Sequence, residues 1–121
     1  AVVVPATIAV GAGPASAAAL PTCTTSTEDQ GAFLPSAAHN NIDCLLRRGD
    51  RGTGVKQLQT TLVECYAADI AKDGIFGPRT EAALKGAQSS VATVVDGIYG
   101  PMTRRAMKHP FAGDSPCGHL S

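Results

Sequence analysis

The sequence is poor in aromatic rings, has no net charge, and offers no uninterrupted apolar run long enough to read as a transmembrane helix. Phe33, Tyr66, Phe76, Tyr99 and Phe111 are its only aromatic residues, too few to expect the broad apolar surface that protein docking usually needs. Ten basic and ten acidic residues cancel to a formal charge of zero. They are interleaved, so no basic stripe exists to follow a phosphate backbone, and Arg47-Arg48 and Arg104-Arg105 are only short pairs; nothing points to nucleic acid. There is no Cys-x-x-Cys and no His-Glu-x-x-His, and the three histidines, His39, His109 and His119, are scattered over expected loops. Neither a metal nor a cofactor is expected.

What is present begins with an uncharged leading stretch. Ala1 to Val10 is apolar apart from Thr7, and Ala15-Ser16-Ala17 follows the small-x-small rule of a signal cleavage site, with Ala18 as the first mature residue. Residues 1–17 therefore read as the remnant of a secretory signal whose basic leading region and Met are trimmed. Pro5, Gly11, Gly13 and Pro14 argue against a helix spanning a bilayer of about 30 Å. The expectation is an exported protein, extracellular or wall-associated, with no membrane contact after cleavage.

The organising feature is an internal repeat. Asp73-Gly74-Ile75-Phe76-Gly77-Pro78-Arg79-Thr80 returns 23 residues later as Asp96-Gly97-Ile98-Tyr99-Gly100-Pro101-Met102-Thr103. In each copy Asp-Gly favours a tight turn with positive φ at the glycine, fixed at Gly74 and Gly97. Gly77-Pro78 and Gly100-Pro101 then start a helix, glycine serving as cap and proline taking the first helical position. The spacing predicts helices over about 78–89 and 101–108, the second ending before Pro110. Ahead of the repeat, Val55, Leu58, Leu62, Val63 and Tyr66 share one helical face, with Asp50 and Thr53 as candidate caps. In the next helix Thr80, Ala83, Leu84 and Ala87 form a small apolar stripe.

Four cysteines in an exported chain imply two disulfides. An extended run from Cys44 to Asp50 covers about 20 Å at roughly 3.3 Å per residue, and the helix from Val55 to Cys65 rises about 15 Å at 1.5 Å per residue. That geometry pairs Cys44 with Cys65 and leaves Cys23 to Cys117. The reading is all-α: a compact three-helix bundle over 44–110, built on the Asp-Gly turn/helix repeat and stapled by disulfides. An irregular N-terminal arm over 18–43 precedes it and a short tail over 111–121 follows. A bundle of this size buries little area, so the disulfides supply stability its core lacks.

The Val55-x-x-Leu58-Gln59-x-x-Leu62 helix, the preceding Arg48-Gly49-Asp50-Arg51-Gly52 turn and the twin Asp-Gly-Ile-aromatic-Gly-Pro-x-Thr units together resemble the bacterial peptidoglycan-binding domain family, over roughly Leu45 to Lys108. The resemblance implies a non-catalytic module that attaches exported proteins, often wall hydrolases or transpeptidases, to peptidoglycan, whether by glycan strand or stem peptide. It also implies structural roles for Gln59 and Gln88, whose amides satisfy the backbone of the Asp-Gly turns, and for Asp73 and Asp96 within them. Ala87 and Thr93 stand where the family has larger apolar residues, leaving room for a groove.

Residue chemistry nominates Tyr66 and Tyr99 for stacking on a sugar ring, and Arg48 and Arg51 for stem-peptide carboxylates. No catalytic residue is assigned. Cys117-Gly118-His119 has the residue types of a thiol nucleophile and its base, but the thiol is expected to be oxidised. The chain is read as a monomeric peptidoglycan binder, the alternative being an exported interaction module that docks on or inhibits a wall enzyme.

Overall fold

A computed structural model describes residues 20–112 and 117–120; the leader remnant and its cleavage site fall outside them. Among the described residues the order is β1 (Thr25–Asp29), β2 (Ala32–Ser36), a 3-10 turn (Ala38–Asn40), α1 (Thr53–Tyr66), α2 (Pro78–Ser90), α3 (Pro101–Ala106), β3 (His109–Pro110) and β4 (Cys117–Gly118). No helix among them is long and apolar enough to cross a membrane.

The all-α expectation is corrected by two small antiparallel sheets, β1 with β2 and β3 with β4. Within the stretch read as an irregular arm lies a hairpin. Gln30 (φ 54°) and Gly31 (φ 86°) both have positive φ, the signature of a two-residue turn whose twist matches the flanking strands. On β2, Ala32 and Leu34 are fully buried while Phe33 between them is exposed, and Pro35 and Ser36 are buried as well, so burial alternates over the first three residues only, and the strand packs against α1. Beyond α3 the chain returns to this sheet: Ala32 bridges Phe111, and Ala112 N–H donates to Gly31 O at 2.9 Å.

The helices follow the repeat. Val55, Leu58 and Leu62 of α1 are buried, Tyr66 packs against the core half-exposed, and Leu84 and Ala87 of α2 lie in the same core with Phe76, Tyr99 and Met107. Gly77 and Gly100 are the N-caps, with Pro78 and Pro101 beginning the helices. Helix α3 stops at Ala106, two residues short of expectation. Lys108 N–H instead donates to Tyr66 Oη at 2.8 Å, and His109 has already entered β3.

A single segment, Leu46 to Gly52, itself turned at Arg48-Gly49 where Asp50 N–H donates to Arg47 O at 3.0 Å, carries both Asp-Gly turns. Leu46 exchanges two backbone hydrogen bonds with Tyr99, at 2.9 and 2.8 Å. Four to six residues further on, Phe76 N–H donates to Asp50 O at 2.9 Å and Gly52 N–H donates to Gly74 O at 2.8 Å.

The disulfides are Cys23–Cys44 and Cys65–Cys117, which corrects the Cys44–Cys65 and Cys23–Cys117 pairing. The reason lies at the start of α1. Cys23 N–H donates to Leu45 O at 2.9 Å and Leu45 N–H to Pro21 O at 2.8 Å, so the chain before β1 runs beside Cys44. The backbone of Cys23 also sits against Gly54, where a Cβ would collide with its carbonyl. Cys65 is eleven residues beyond Gly54, about 16 Å along the helix, and meets the tail instead. Run lengths allowed Cys65 to return toward Cys44; they did not fix which way the helix points.

Candidate functional site

The two Asp-Gly turns are held by two buried glutamines in the same manner. Gln59 Nε2 lies 3.0 Å from each of Asp73 Oδ1, Ile75 O and Thr80 Oγ1, and Gly74 N–H donates to Gln59 Oε1 at 2.8 Å. Gln88 Nε2 lies 3.0 Å from each of Asp96 Oδ1, Ile98 O and Thr103 Oγ1, while its Oε1 accepts from Gly97 N–H at 2.9 Å and Asp96 N–H at 3.1 Å. Two amide hydrogens are thus shared among three acceptors in each copy. Asp73 and Asp96 also accept from the N–H two residues on, each at 3.0 Å, the Asx turn that Asp favours. The Ile75 N–H, with the Gln59 amide second, holds the Asp73 carboxyl below its ordinary range. Gly74 and Gly97 take φ of 77° and 75°, conformations that strain any side chain.

An open groove lies between the end of α1 and the face of α2. Its volume is about 700 Å³, and Tyr66, Asp69, Ile70, Arg79, Ala83 and Ala87 are among its lining residues. Alanine and glycine on α2 keep the floor low, and the half-exposed Tyr66 ring stands beside it. Burial pushes the Tyr66 phenol up, opposed by the Lys108 N–H that donates to it. The phenol is neutral at physiological pH, a flat ring with one polar edge. Such a surface can stack on the apolar face of a sugar and hydrogen-bond at its rim.

The other nominated residues are not gathered there. Tyr99 is fully buried, which removes it from ligand contact; it is the second-repeat counterpart of Phe76, also in the core. Burial raises its phenol strongly, and its hydroxyl has no hydrogen-bond partner among the described residues. Arg48 and Arg51 are exposed on the strip before α1, and Arg48 reaches Glu81 of α2 at 3.5 Å. Arg79 was not singled out from sequence, although it occupies the first helical turn of the first repeat and lines the groove. Ala87 lines this groove, whereas Thr93 lines a second one beyond the end of α2.

The thiol of the Cys117-Gly118-His119 run is oxidised, as expected. Cys117 is bonded to Cys65. His109 is buried with Nε2 2.7 Å from Arg104 O, and Arg104 in turn donates through Nη1 to Ile42 O and Asp43 Oδ1, both at 2.8 Å. No cluster of His, Cys, Asp and Glu suited to a metal ion occurs among the described residues.

Fold and site together define a small, disulfide-linked α+β domain built on a turn–helix repeat that carries one aromatic-walled groove. Residues 51–107 match the family model described as a putative peptidoglycan binding domain, and this part of the chain belongs to that family. Three solved structures are similar. The SleB N-terminal domain is 32% identical, covering 51% of this chain and 85% of its own, with a TM-score of 0.49. A Burkholderia AP3 phage endolysin is 41% identical over 49% of this chain and 22% of its own, with a TM-score of 0.47. A peptidoglycan-binding protein from Clostridioides difficile, in complex with glutamine hydroxamate, is 25% identical over 65% of this chain and 52% of its own, with a TM-score of 0.52. The chain thus spans about a fifth of the endolysin and half of the clostridial protein. A comparison with curated proteins found no match.

Proposed function

We propose that the chain is an exported, non-catalytic module that binds bacterial cell-wall peptidoglycan as a monomer, with the Tyr66 groove seating the glycan strand. The observation that carries this reading is the half-exposed Tyr66 ring beside a floor of small residues, within a segment that belongs to the peptidoglycan-binding domain family. A pyranose presents an apolar face and a polar edge, and the groove offers an aromatic face with Arg79 and Asp69 at its margin. Two disulfides suit the oxidising environment outside the cell. The signal-like leader over 1–17 is in keeping with export. Arg48 and Arg51 are assigned a supporting role, adding positive surface for stem carboxylates. For a monomer with one groove, the density of repeating ligand on a wall raises occupancy without raising the affinity of the site.

The test is co-sedimentation of the oxidised protein with purified insoluble peptidoglycan, with chitin as a control. Pelleting with peptidoglycan and not chitin supports the reading. A folded protein that stays in the supernatant overturns it, and wall hydrolysis in a zymogram overturns the non-catalytic part.

A further inference from the structure

The two disulfides sit in opposite surroundings. Cys23 and Cys44 are both fully buried and belong to the apolar core; the Cys23 backbone lies against Gly54, and Cys44 Sγ is 3.7 Å from Pro35 O of β2. Cys65 and Cys117 are both half-buried, one in the last turn of α1 and the other in β4. Thiol–disulfide exchange requires the attacking sulfur to reach the bridge, so its rate depends on access. A bridge sealed in the core is reached only when the core opens, whereas one at the surface is reached in the folded chain.

What the outer bridge holds is small and local. Strand β4 is two residues long and pairs with β3 as His109 opposite Gly118 and Pro110 opposite Cys117, a ladder too short to persist by itself. Gly118 lies beside the Phe111 ring, which would stand 3.4 Å from a Cβ placed there. The bridge to Cys65 joins this strand covalently to α1. Tyr66, next to Cys65 and last in α1, makes a second link, its hydroxyl accepting the Lys108 N–H at 2.8 Å. Lys108 directly precedes β3. Bridge and hydrogen bond thus clamp the end of α1 to the β3–β4 pair through adjacent residues, and Tyr66 also lines the open groove. With the bridge open, one exposed hydrogen bond is left of that clamp, and water competes for it on nearly equal terms.

We propose that Cys65–Cys117 is a thiol–disulfide exchange site, reduced by a soluble dithiol in the folded protein, and that its reduction releases β4 and loosens the Tyr66–Lys108 contact while Cys23–Cys44 and the core stay intact. A thiolate of the dithiol attacks one bridge sulfur, forming a mixed disulfide and expelling the other cysteine as a thiolate, which is protonated. The second thiol of the reagent, deprotonated in turn, attacks the reagent's own sulfur in the mixed disulfide. That closes the reagent's disulfide and expels the second cysteine, which is protonated as well. Two electrons pass from dithiol to bridge, and the two protons end on Cys65 and Cys117. Selectivity here is one of access, not of strength, since the longer loop makes Cys65–Cys117 the more stabilising bridge on chain entropy. None of this depends on which ligand the Tyr66 groove takes.

The full oxidised chain is treated with graded dithiothreitol under native conditions, quenched with iodoacetamide and mapped by peptide mass. Cys65 and Cys117 are expected to take the label about tenfold faster, or more, than Cys23 and Cys44. Equal labelling of all four, or labelling of Cys23 and Cys44 first, overturns the exchange site, because the outer bridge would then open only with the core. In the selectively reduced chain, and in the Cys65→Ser/Cys117→Ser double variant without reductant, the Lys108 N–H is expected to exchange with solvent about tenfold faster than in the parent. The ring signal of Tyr99, fully buried and one of two tyrosines, should stay in place and report an intact core. An unchanged Lys108 rate in the reduced chain overturns the release of the clamp. A Tyr99 signal that moves to its unfolded position there overturns the separation of bridge from core, and the reduced parent decides both points whatever the double variant does.

Discussion

Gln59 and Gln88 hold equivalent turns by equivalent bonds: each amide oxygen accepts from the glycine of an Asp-Gly pair, and each amide nitrogen faces an aspartate, an isoleucine carbonyl and a threonine hydroxyl. Both side chains are almost entirely buried. Replacing either with leucine keeps the volume but strands buried polar groups, at about 1–3 kcal/mol per orphaned group. Gln59→Leu is expected to lower unfolding free energy by about 2–4 kcal/mol, read by urea denaturation. Thr80, the last partner of the first clamp, lies eight residues before Gln88 along α2, about 12 Å. The two losses should therefore add within roughly 0.5 kcal/mol. A cost under about 1 kcal/mol for either variant would show that water replaces the amide.

Tyr99 separates burial from binding. Tyr99→Ala empties a core position and is expected to cost about 3–5 kcal/mol. Tyr99→Phe removes only a hydroxyl that lacks a partner among the described residues, and it restores the residue type that Phe76 has in the first repeat. That variant should be as stable as the parent or more so, by thermal denaturation. A marked loss would reveal a hydrogen bond to the hydroxyl.

Both disulfides join segments that the helices alone leave loosely attached. Cys65–Cys117 spans a sequence separation of 52 and Cys23–Cys44 one of 21. On chain entropy the longer loop gives about 0.8 kcal/mol more, on a base of roughly 2–4 kcal/mol each. Paired Cys→Ala variants should follow that order in chemical denaturation. Peptide mapping without reduction should recover Cys23 linked to Cys44; a Cys44–Cys65 fragment would contradict the fold at the start of α1.

His109 makes stability depend on pH. Burial lowers its pKa below the ordinary value, and the neighbouring Arg104 and His119 add to the shift, while the hydrogen bond to Arg104 O opposes it. As pH falls below about 6.5 the unfolded chain takes up a proton that the folded chain refuses. Stability therefore declines from that point down to the depressed folded value, then levels for this group. Asp73 acts in a lower window: its contribution is present above the unfolded carboxyl range and lost as pH falls through its lowered folded value. Denaturation at a series of pH values should show the first decline in the parent and a flatter profile in His109→Gln. An identical slope in both would assign the decline elsewhere.

The repeat made the helices legible, because proline after glycine marks a helix start and apolar spacing marks its buried face. The hairpin was harder to see. Thr25 and Thr27 alternate with polar residues, Gln30-Gly31 is a weaker turn signal than Asn-Gly, and Pro35 within β2 argues against a strand unless it lies at an edge. A two-stranded sheet is all edge, so Pro35 is tolerated opposite Ser26. For the site, Tyr66 was visible as the last residue of an apolar helical face. The burial of Tyr99 was also legible, since Phe76 at the same repeat position is core; ring chemistry alone does not tell a stacking face from a core ring. The grooves were legible only as missing volume at Ala87 and Thr93, because a groove is defined by residues distant in sequence.

The most direct test of the account compares Tyr66→Ala with Tyr66→Phe in quantitative co-sedimentation with insoluble peptidoglycan, the fold of each checked by its near-native denaturation profile. The phenylalanine variant keeps the ring and loses only the hydroxyl that accepts from Lys108 N–H. It should retain most binding, whereas the alanine variant should lose about tenfold, the scale of one stacked ring. Equal binding by parent, phenylalanine and alanine forms would contradict the placement of the glycan in the Tyr66 groove.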